Sequence, residues 1–422
     1  MYVNKKYNRI NILLVAHRFY KDSKAGTETL VEDVAIELNK KGYSVYIMAA
    51  SNDIFEKKVK ITNRKDGISC ISIPYFPQKN IIDNWENFEN TQKKRIYKAM
   101  KKLSINFQIV HIFHFARIGL EFFTLPFFKN SKLFVTLTDY SIFCPDYQMF
   151  NRKFECICNN INNENSCVEC LENVNTAINI KKWKKRNVNF INNYAQLVYT
   201  QTLTQRLYVL QSGISGNILH NSTAAYKIPS EWSRLNCKDI DHYMFGFFGR
   251  ISPEKGLHIF LKAYLKCATN DSKLLICGSM DENEDYNTLI TQLIKQSKNI
   301  VYSPPVPLLD LGRLISSVNY LVLPSIWNEN HSILMTYACA LDVQVICSSV
   351  PSLKELNYSQ ITFIDDYNNI NSWKKIIQNI QDRKNISNDN NTSRSFWAIQ
   401  KEFYNLMDII ENNYLSCLNG EQ

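Results

Sequence analysis

The chain lacks any long hydrophobic run. Across 422 residues no apolar stretch reaches the ~18 needed to cross a bilayer, which excludes an ordinary membrane-spanning helix. Glycine is also scarce, while Asn, Lys and Ile are abundant; this tilt reads as coding bias with no bearing on function. No tandem repeat runs through the sequence. No nucleic-acid recognition motif accompanies its basic residues, so no nucleic-acid partner is expected. The N-terminal segment Ile10-Asn-Ile-Leu-Leu-Val-Ala16 is short, broken by Asn11 and followed by His17-Arg18, which fits a first strand better than a signal peptide. The expected location is cytoplasmic.

What is present is a globular composition, 45% hydrophobic and 21% charged, in a chain too long for one ordinary core. The first sixty residues alternate in period. Ile10 to Ala16 reads as a buried strand, residues 17 to 26 as a polar loop ending in Gly26, and Thr27 to Lys41 as a helix with Leu30, Val34, Ala35 and Leu38 on one face. Gly42 then caps the helix and Tyr43 to Ala50 returns to strand, completing a βαβ unit of a parallel, doubly wound sheet. Short strands recur at Ile109 to Phe113, Leu133 to Leu137 and Gln196 to Thr200. After a polar connection around Asn221 the pattern restarts: strand Met244 to Phe248, helix Leu257 to Cys267, then strands ending at Cys277, Tyr302 and Leu323. The expected architecture is α/β, with two Rossmann-like domains at 1–222 and 223–395 facing a cleft, an Asn-rich loop at 385–391 and a last helix near Ser393 to Cys417.

The net charge of +10 is unevenly spread. Lys93, Lys94, Arg95, Lys98, Lys101 and Lys102 fall mostly on one side of a helix whose other side carries Ile96, Met100 and Leu103. A second cluster, Lys181-Lys182-Trp183-Lys184-Lys185-Arg186, sets a Trp among five cations. These are either solvated helix faces or a docking surface for anionic membrane, where each cation contributes roughly 1 kcal/mol.

Chemistry concentrates in the second half. The stretch YMFGFFGRISPEKGLHIF ends a buried strand in Gly249-Arg250 and places Lys255 five residues later, before a new helix. A second strand end reads Leu323-Pro324-Ser325-Ile326-Trp327-Asn328-Glu329, and a helix starts near Ser332-Ile333. Two cations and a helix N-terminus with unpaired N–H groups match a diphosphate, and Glu329 beside them can accept hydrogen bonds from sugar hydroxyls.

These segments resemble the GT-B glycosyltransferases of family four, which transfer a sugar from a nucleotide diphosphate with retention of anomeric configuration. The match runs through Phe247 to Gly256 and Pro324 to Ser348. Weaker echoes are the βαβ unit with Gly26, the strand end Val110-His111, the Asn221 connection, and a C-terminal helix (396–422) that in the family crosses back to the first domain. The resemblance implies that Arg250 and Lys255 hold the donor diphosphate, that Glu329 binds the donor sugar, and that Gly26, Gly249 and the amides around Ser332 and Ile333 face the donor. It implies a nucleotide-sugar donor, a glycan or lipid-linked acceptor, and catalysis that requires no cofactor.

The sequence departs from that pattern at two places. Counting from Glu329, the family's second Glu, which takes the ribose, is Tyr337, a phenol that can stack or make one hydrogen bond. The His-Asp pair that often follows a first-domain strand is Thr138-Asp139, and Thr cannot take up a proton near neutral pH. His111 and His114 are candidate substitutes on the acceptor side, or hydrogen-bonded structural histidines. The departures motivate a rival reading, a non-catalytic protein on the same fold that binds nucleotide sugar or glycan or scaffolds an active glycosyltransferase; a nucleotide-sugar epimerase on the same plan is a third. Finally, an insertion at 144–170 carries Cys144, Cys156, Cys158, Cys167 and Cys170. Their spacing is compatible with a structural zinc clip, with free thiols or with a disulfide, and some members of the family have a similar Cys-Pro followed by later cysteines.

Overall fold

Short apolar runs become the buried strands of two separate parallel sheets. The computed structural model describes residues 10–21, 25–53, 55–76, 82–159, 161–171, 176–220, 226–235, 243–356, 358–382 and 396–420. Asn221, the 222/223 boundary and the loop at 385–391 lie outside the described residues. Two compact units form: one comprises residues 1–153, 158–224 and 404–422, the other 154–157 and 225–403.

In the first unit the strands are β1 (Asn11–Val15), β2 (Ser44–Ala50), β3 (Lys60–Asn63), β4 (Ser69–Ile73), β5 (Ile109–Ile112), β6 (Lys132–Leu137), β7 (Ala195–Thr200) and β8 (Ile218–His220). They lie in the order β8-β7-β6-β5-β1-β2-β4-β3. Every pair is parallel except β3 with β4. Central strands such as β1 and β5 are apolar along most of their length because helices cover both faces, whereas β3 is a polar edge strand. The first helix runs Gly26–Lys40 and Gly42 follows at φ 97°, the left-handed conformation that a helix C-terminus favours.

The basic helix, Trp85–Leu103, buries Ile96 and Met100 and exposes Lys94, Lys98, Lys101 and Lys102. The second basic cluster lies on the helix Ala177–Tyr194, where the helical period turns half of it inward. Trp183 and Lys184 are buried, the Lys184 ammonium donates to the Ile161 carbonyl at 2.5 Å, and Arg186 pairs with Glu89 at 2.8 Å and Glu121 at 3.2 Å. Three of its six members are therefore structural, leaving Lys181, Lys182 and Lys185 exposed.

Among the described residues the sheet of the second unit has six parallel strands: β9 (Tyr243–Phe248), β10 (Leu274–Cys277), β11 (Ile300–Ser303), β12 (Val318–Leu323), β13 (Gln344–Ser348) and β14 (Ile361–Ile364). Their order is β11-β10-β9-β12-β13-β14. Numbered within the unit this is 3-2-1-4-5-6, so the winding direction reverses between β9 and β12 and opens a crevice at their carboxyl ends. The first unit reverses likewise between β1 and β5. The last helix, Phe396–Asn419, belongs to the second unit through Phe403 and to the first from Tyr404. Within the first unit it is held by Lys41 to Glu411 at 2.5 Å and to Asp408 at 3.0 Å, and by the Tyr43 hydroxyl to Glu411 at 2.7 Å.

Candidate active site

The reversal point of the second sheet gathers the residues that sequence spacing singled out. β9 ends in Gly249 at φ 110°, where the Gly249 N–H donates to the Cys277 carbonyl at 2.9 Å and lets the chain turn out of the sheet at Arg250. A one-turn helix, Pro253–Lys255, leads to Gly256 at φ 68° and the helix Leu257–Cys267. Only glycine fits at 256: a Cβ there would stand 1.9 Å from the Pro324 carbonyl oxygen. The Ile326 N–H donates to the Glu254 carbonyl at 2.9 Å, so the loop after β9 and the loop after β12 form one surface.

Each cation on that surface holds a carboxylate. The Arg250 guanidinium meets Glu254 at 2.6 Å, and the Lys255 ammonium meets Glu329 at 2.5 Å while lying 5.1 Å from the centre of the Trp327 ring. Ser325 Oγ donates to the same Glu329 oxygen at 2.7 Å. Burial acts against a charged Glu329, yet Lys255 and Ser325 hold its carboxyl below the usual range. Ser332 caps the helix Ile333–Ala340, its hydroxyl accepting from the Met335 N–H at 3.4 Å. A side chain on Gly249 would come within 3.3 Å of Leu334, which brings the start of this helix next to the β9 loop. The arrangement supplies two cations, a capped helix N-terminus and an ionised acceptor on one edge.

Tyr337 is the exception. It is 1% exposed and packs edge-to-face on Trp232 with ring centres 4.9 Å apart; Trp232 fills the space left by Gly312. It is thus enclosed in an aromatic pair and does not present an open face to a nucleotide. Sequence reasoning missed His331, which is half-buried, bonds Thr336 Oγ1 at 3.0 Å and is pushed by desolvation to about 4. Its position two residues after Glu329 was the available signal.

In the first unit, residues from several loops meet at the carboxyl ends of β1, β5 and β6. Thr138 Oγ1 donates to the Phe113 carbonyl at 3.0 Å and accepts from Thr27 Oγ1 at 2.8 Å, next to Gly26 at the first helix start. Asp139 bonds His114 Nε2 at 2.6 Å and accepts from the Ser141 N–H at 2.9 Å. Burial would raise the Asp139 carboxyl, but His114 and Ser141 outweigh it and hold it low. His17 lies with its ring centre 4.1 Å from that of His114, tilted by 38°, and faces Glu28 at 3.1 Å; burial, then His114, Arg18 and Arg117, press its pKa well below the ordinary value. The histidine beside Asp139 is therefore His114. His111 faces the other way: it is fully buried, bonded to Tyr414 at 2.5 Å and Thr136 at 2.7 Å, and burial lowers it to about 3. The alternation of side chains along β5 puts it in the core and away from any acceptor.

Four of the five cysteines of the insertion lie near one another, with Cys158 close enough to act on Cys144, Cys167 and Cys170. Cys144 is shielded and burial pushes its thiol up, Cys156 is exposed, and the Lys184 ammonium lies 3.4 Å from Cys167 Sγ, a poor neighbour for a divalent cation. Among the described residues no group of three or more His, Cys, Asp or Glu is placed to hold a metal ion. The described cysteines stand as free thiols.

With this geometry in view, comparison with known proteins narrows the reading. Residues 231–394 match the family model of glycosyl transferases group 1. That segment holds both cations, Glu329 and the helix behind it. An uncharacterized 42.6 kDa protein in a cps region of Klebsiella pneumoniae is 22% identical over 416 residues, covering 93% of this chain and 100% of that protein. Among solved structures, sucrose-phosphate synthase from Thermosynechococcus elongatus superposes with a TM-score of 0.67 at 14% identity, covering 98% of this chain and 100% of the other. HepE from Anabaena, solved in complex with UDP and glucose, gives 0.60 at 14% identity, covering 95% and 100%. Likeness at this identity shows the fold: α/β, GT-B, with two Rossmann-like doubly wound units.

Proposed function

We propose that the protein is a retaining glycosyltransferase of family four, moving a sugar from a nucleotide-diphosphate donor to a glycan or lipid-linked glycan in polysaccharide biosynthesis. The observation that carries this reading is the joint placement of Arg250 and Lys255, 2.6 and 2.5 Å from their carboxylates, at the reversal point of the second sheet. A diphosphate arriving there exchanges with Glu254 and Glu329 as counter-ion. As the bond from the anomeric carbon to the donor phosphate breaks, negative charge builds on the leaving diphosphate, and fixed cations lower that barrier. Glu329, released from Lys255, is ionised and placed to accept hydrogen bonds from sugar hydroxyls. The chain's own cations carry the neutralising charge, so the proposal includes no metal in catalysis. The HepE complex with UDP supports a nucleotide donor, and the relative in a cps region supports a glycan product.

One observation favours a second reading, a catalytically degenerate protein that still binds nucleotide sugar or glycan: Tyr337 is closed off by Trp232 where the resemblance expects a ribose-binding carboxylate. A single assay separates the two. Purified protein is incubated with a panel of nucleotide sugars, and release of nucleoside diphosphate is followed with and without glycan acceptors. Turnover that disappears in Arg250→Ala/Lys255→Ala supports the transferase; nucleotide binding with no turnover under any acceptor supports the second reading.

A further inference from the structure

The carboxyl edge of the first sheet holds a set of cations that the proposed donor site does not use. Arg18 follows β1, Arg117 follows β5, and Asn52 follows β2. A cavity of about 450 Å³ opens there, walled in part by Arg18, Lys21, Asn52 and Ser51. Its carboxylates are already engaged. Glu32 pairs with Arg64 at 2.7 Å, Glu56 pairs with Lys60 at 3.4 Å and bonds Ser51, Glu28 faces His17 at 3.1 Å, and Asp53 accepts from the Phe55 N–H at 2.9 Å. Arg18, Lys21 and Arg117 have no carboxylate within salt-bridge distance among the described residues.

Arg117 is held in place by the backbone. It adopts φ 69°, a left-handed conformation that costs a non-glycine residue on the order of 1 kcal/mol or more, and its carbonyl is clasped by the Gln92 amide. Its guanidinium lies 4.8 Å from the centre of the Tyr75 ring and donates to Asn52 Oδ1 at 3.2 Å, which carries it to the cavity rim. Arg18 and Arg117 are close enough to repel: after burial, the Arg18 charge is the next cause lowering Arg117. Glu28 offsets Arg117 less than Arg18 opposes it, so two like charges without a direct ion pair, one of them on strained backbone, present a surface that a multiply charged anion completes.

We infer that Arg18 and Arg117, with Asn52 and Lys21 at the rim, form a phosphate-binding subsite in the first unit that takes a phosphate carried by the acceptor. The word acceptor rests on the glycosyltransferase reading; the anion subsite rests on the first unit alone. A phosphate is favoured over a single carboxylate because two guanidiniums call for about two negative charges, and the planar forks of arginine suit phosphate oxygens. The phosphate belongs either to a soluble sugar phosphate or to the head of a lipid-linked sugar.

The test uses the full chain with its donor site saturated by a nucleoside diphosphate, so that added phosphates report on the second location. Glucose 1-phosphate, farnesyl phosphate, glucose and glucuronate are titrated by calorimetry. Either phosphate probe should bind, and glucose should not. Response to glucose 1-phosphate alone identifies a soluble source; response to farnesyl phosphate alone identifies a lipid-linked one. Arg18→Gln/Arg117→Gln should weaken the phosphate probe by roughly a hundredfold, since each charge-assisted bond is worth about a factor of ten. Asn52→Asp, on an exposed residue, supplies Arg117 with an internal carboxylate and should weaken it about tenfold with folding intact. Absence of phosphate binding, equal binding by Asn52→Asp, or equal binding of glucuronate overturns the inference. Failure of the wild-type protein to bind any nucleoside diphosphate is a different outcome, one that overturns the donor-site reading.

Discussion

The two sheets share a winding plan but hold charge differently at their carboxyl edges. In the second unit Arg250 and Lys255 each lie against a carboxylate, so the site is neutralised internally and a ligand must displace Glu254 and Glu329. In the first unit the carboxylates are committed to His114, His17, Arg64 and serine hydroxyls, and Arg18 and Arg117, which repel each other, form no direct ion pair among the described residues. The contrast teaches that one topology gives two kinds of anion site. One is held in register by exchangeable ion pairs and suits a ligand that must leave. The other is held by backbone strain and lacks a direct ion pair until an anion arrives.

The comparison can be broken at its strongest point first. Replacing both Arg250 and Lys255 by alanine should lower turnover by roughly a hundredfold to ten-thousandfold, two charge-assisted interactions at about tenfold to a hundredfold each. Steady-state release of nucleoside diphosphate measures it, with melting temperature as the control for the buried Glu254 and Glu329 left behind. Gly256→Ala should come next. The new Cβ meets the Pro324 oxygen and the left-handed backbone adds about 1–3 kcal/mol of strain, so chemical denaturation should show a marked loss of stability and Lys255 should move out of place.

A pH experiment sharpens the first-unit side. His111 is neutral in the fold down to about 3, while the unfolded imidazole takes a proton near 6.5. Between those values the unfolded chain binds more protons, so stability falls as pH drops, by up to about 1.4 kcal/mol per pH unit for this group. His111→Gln should flatten that part of the melting-temperature profile between pH 6.5 and 4, and an unchanged profile would return His111 to the exposed side of the sheet. A last test concerns the helix Trp85–Leu103. Reversing charge at Lys94, Lys98 and Lys101 should reduce sedimentation with anionic liposomes, each lysine contributing roughly 1 kcal/mol at such a surface. Among the described residues no helix is long and apolar enough to cross a membrane.

How much of this was readable in the sequence follows the same contrast. The second-unit site is written locally: Gly249-Arg250 at one strand end, Lys255-Gly256 five residues on, Pro324-Ser325 and Glu329 at the neighbouring strand end. Parallel strands in this order bring those ends together without further information. Glu254 as the partner of Arg250 was four residues away, yet only the left-handed turn at Gly256 shows that the loop folds back on itself. The first-unit cluster has no such signature. His17, His114 and Asp139 sit after three different strands, and nothing in their flanking residues says that His114, not His111, meets Asp139; the strand alternation decides it. Trp183 and Lys184 misled for a related reason, since a run of cations looks solvated until the helix phase places two of its members inside. Tyr337 was visible as a departure, but its closure by Trp232 depends on the gap at Gly312, which spacing does not reveal.

The central claim is that Arg250 and Lys255 together hold a diphosphate. Calorimetric titration of nucleoside diphosphates into the wild-type protein and into Arg250→Ala/Lys255→Ala tests it directly. The account predicts saturable binding of at least one nucleotide by the wild type and its loss in the folded double variant; equal affinity in both would contradict it.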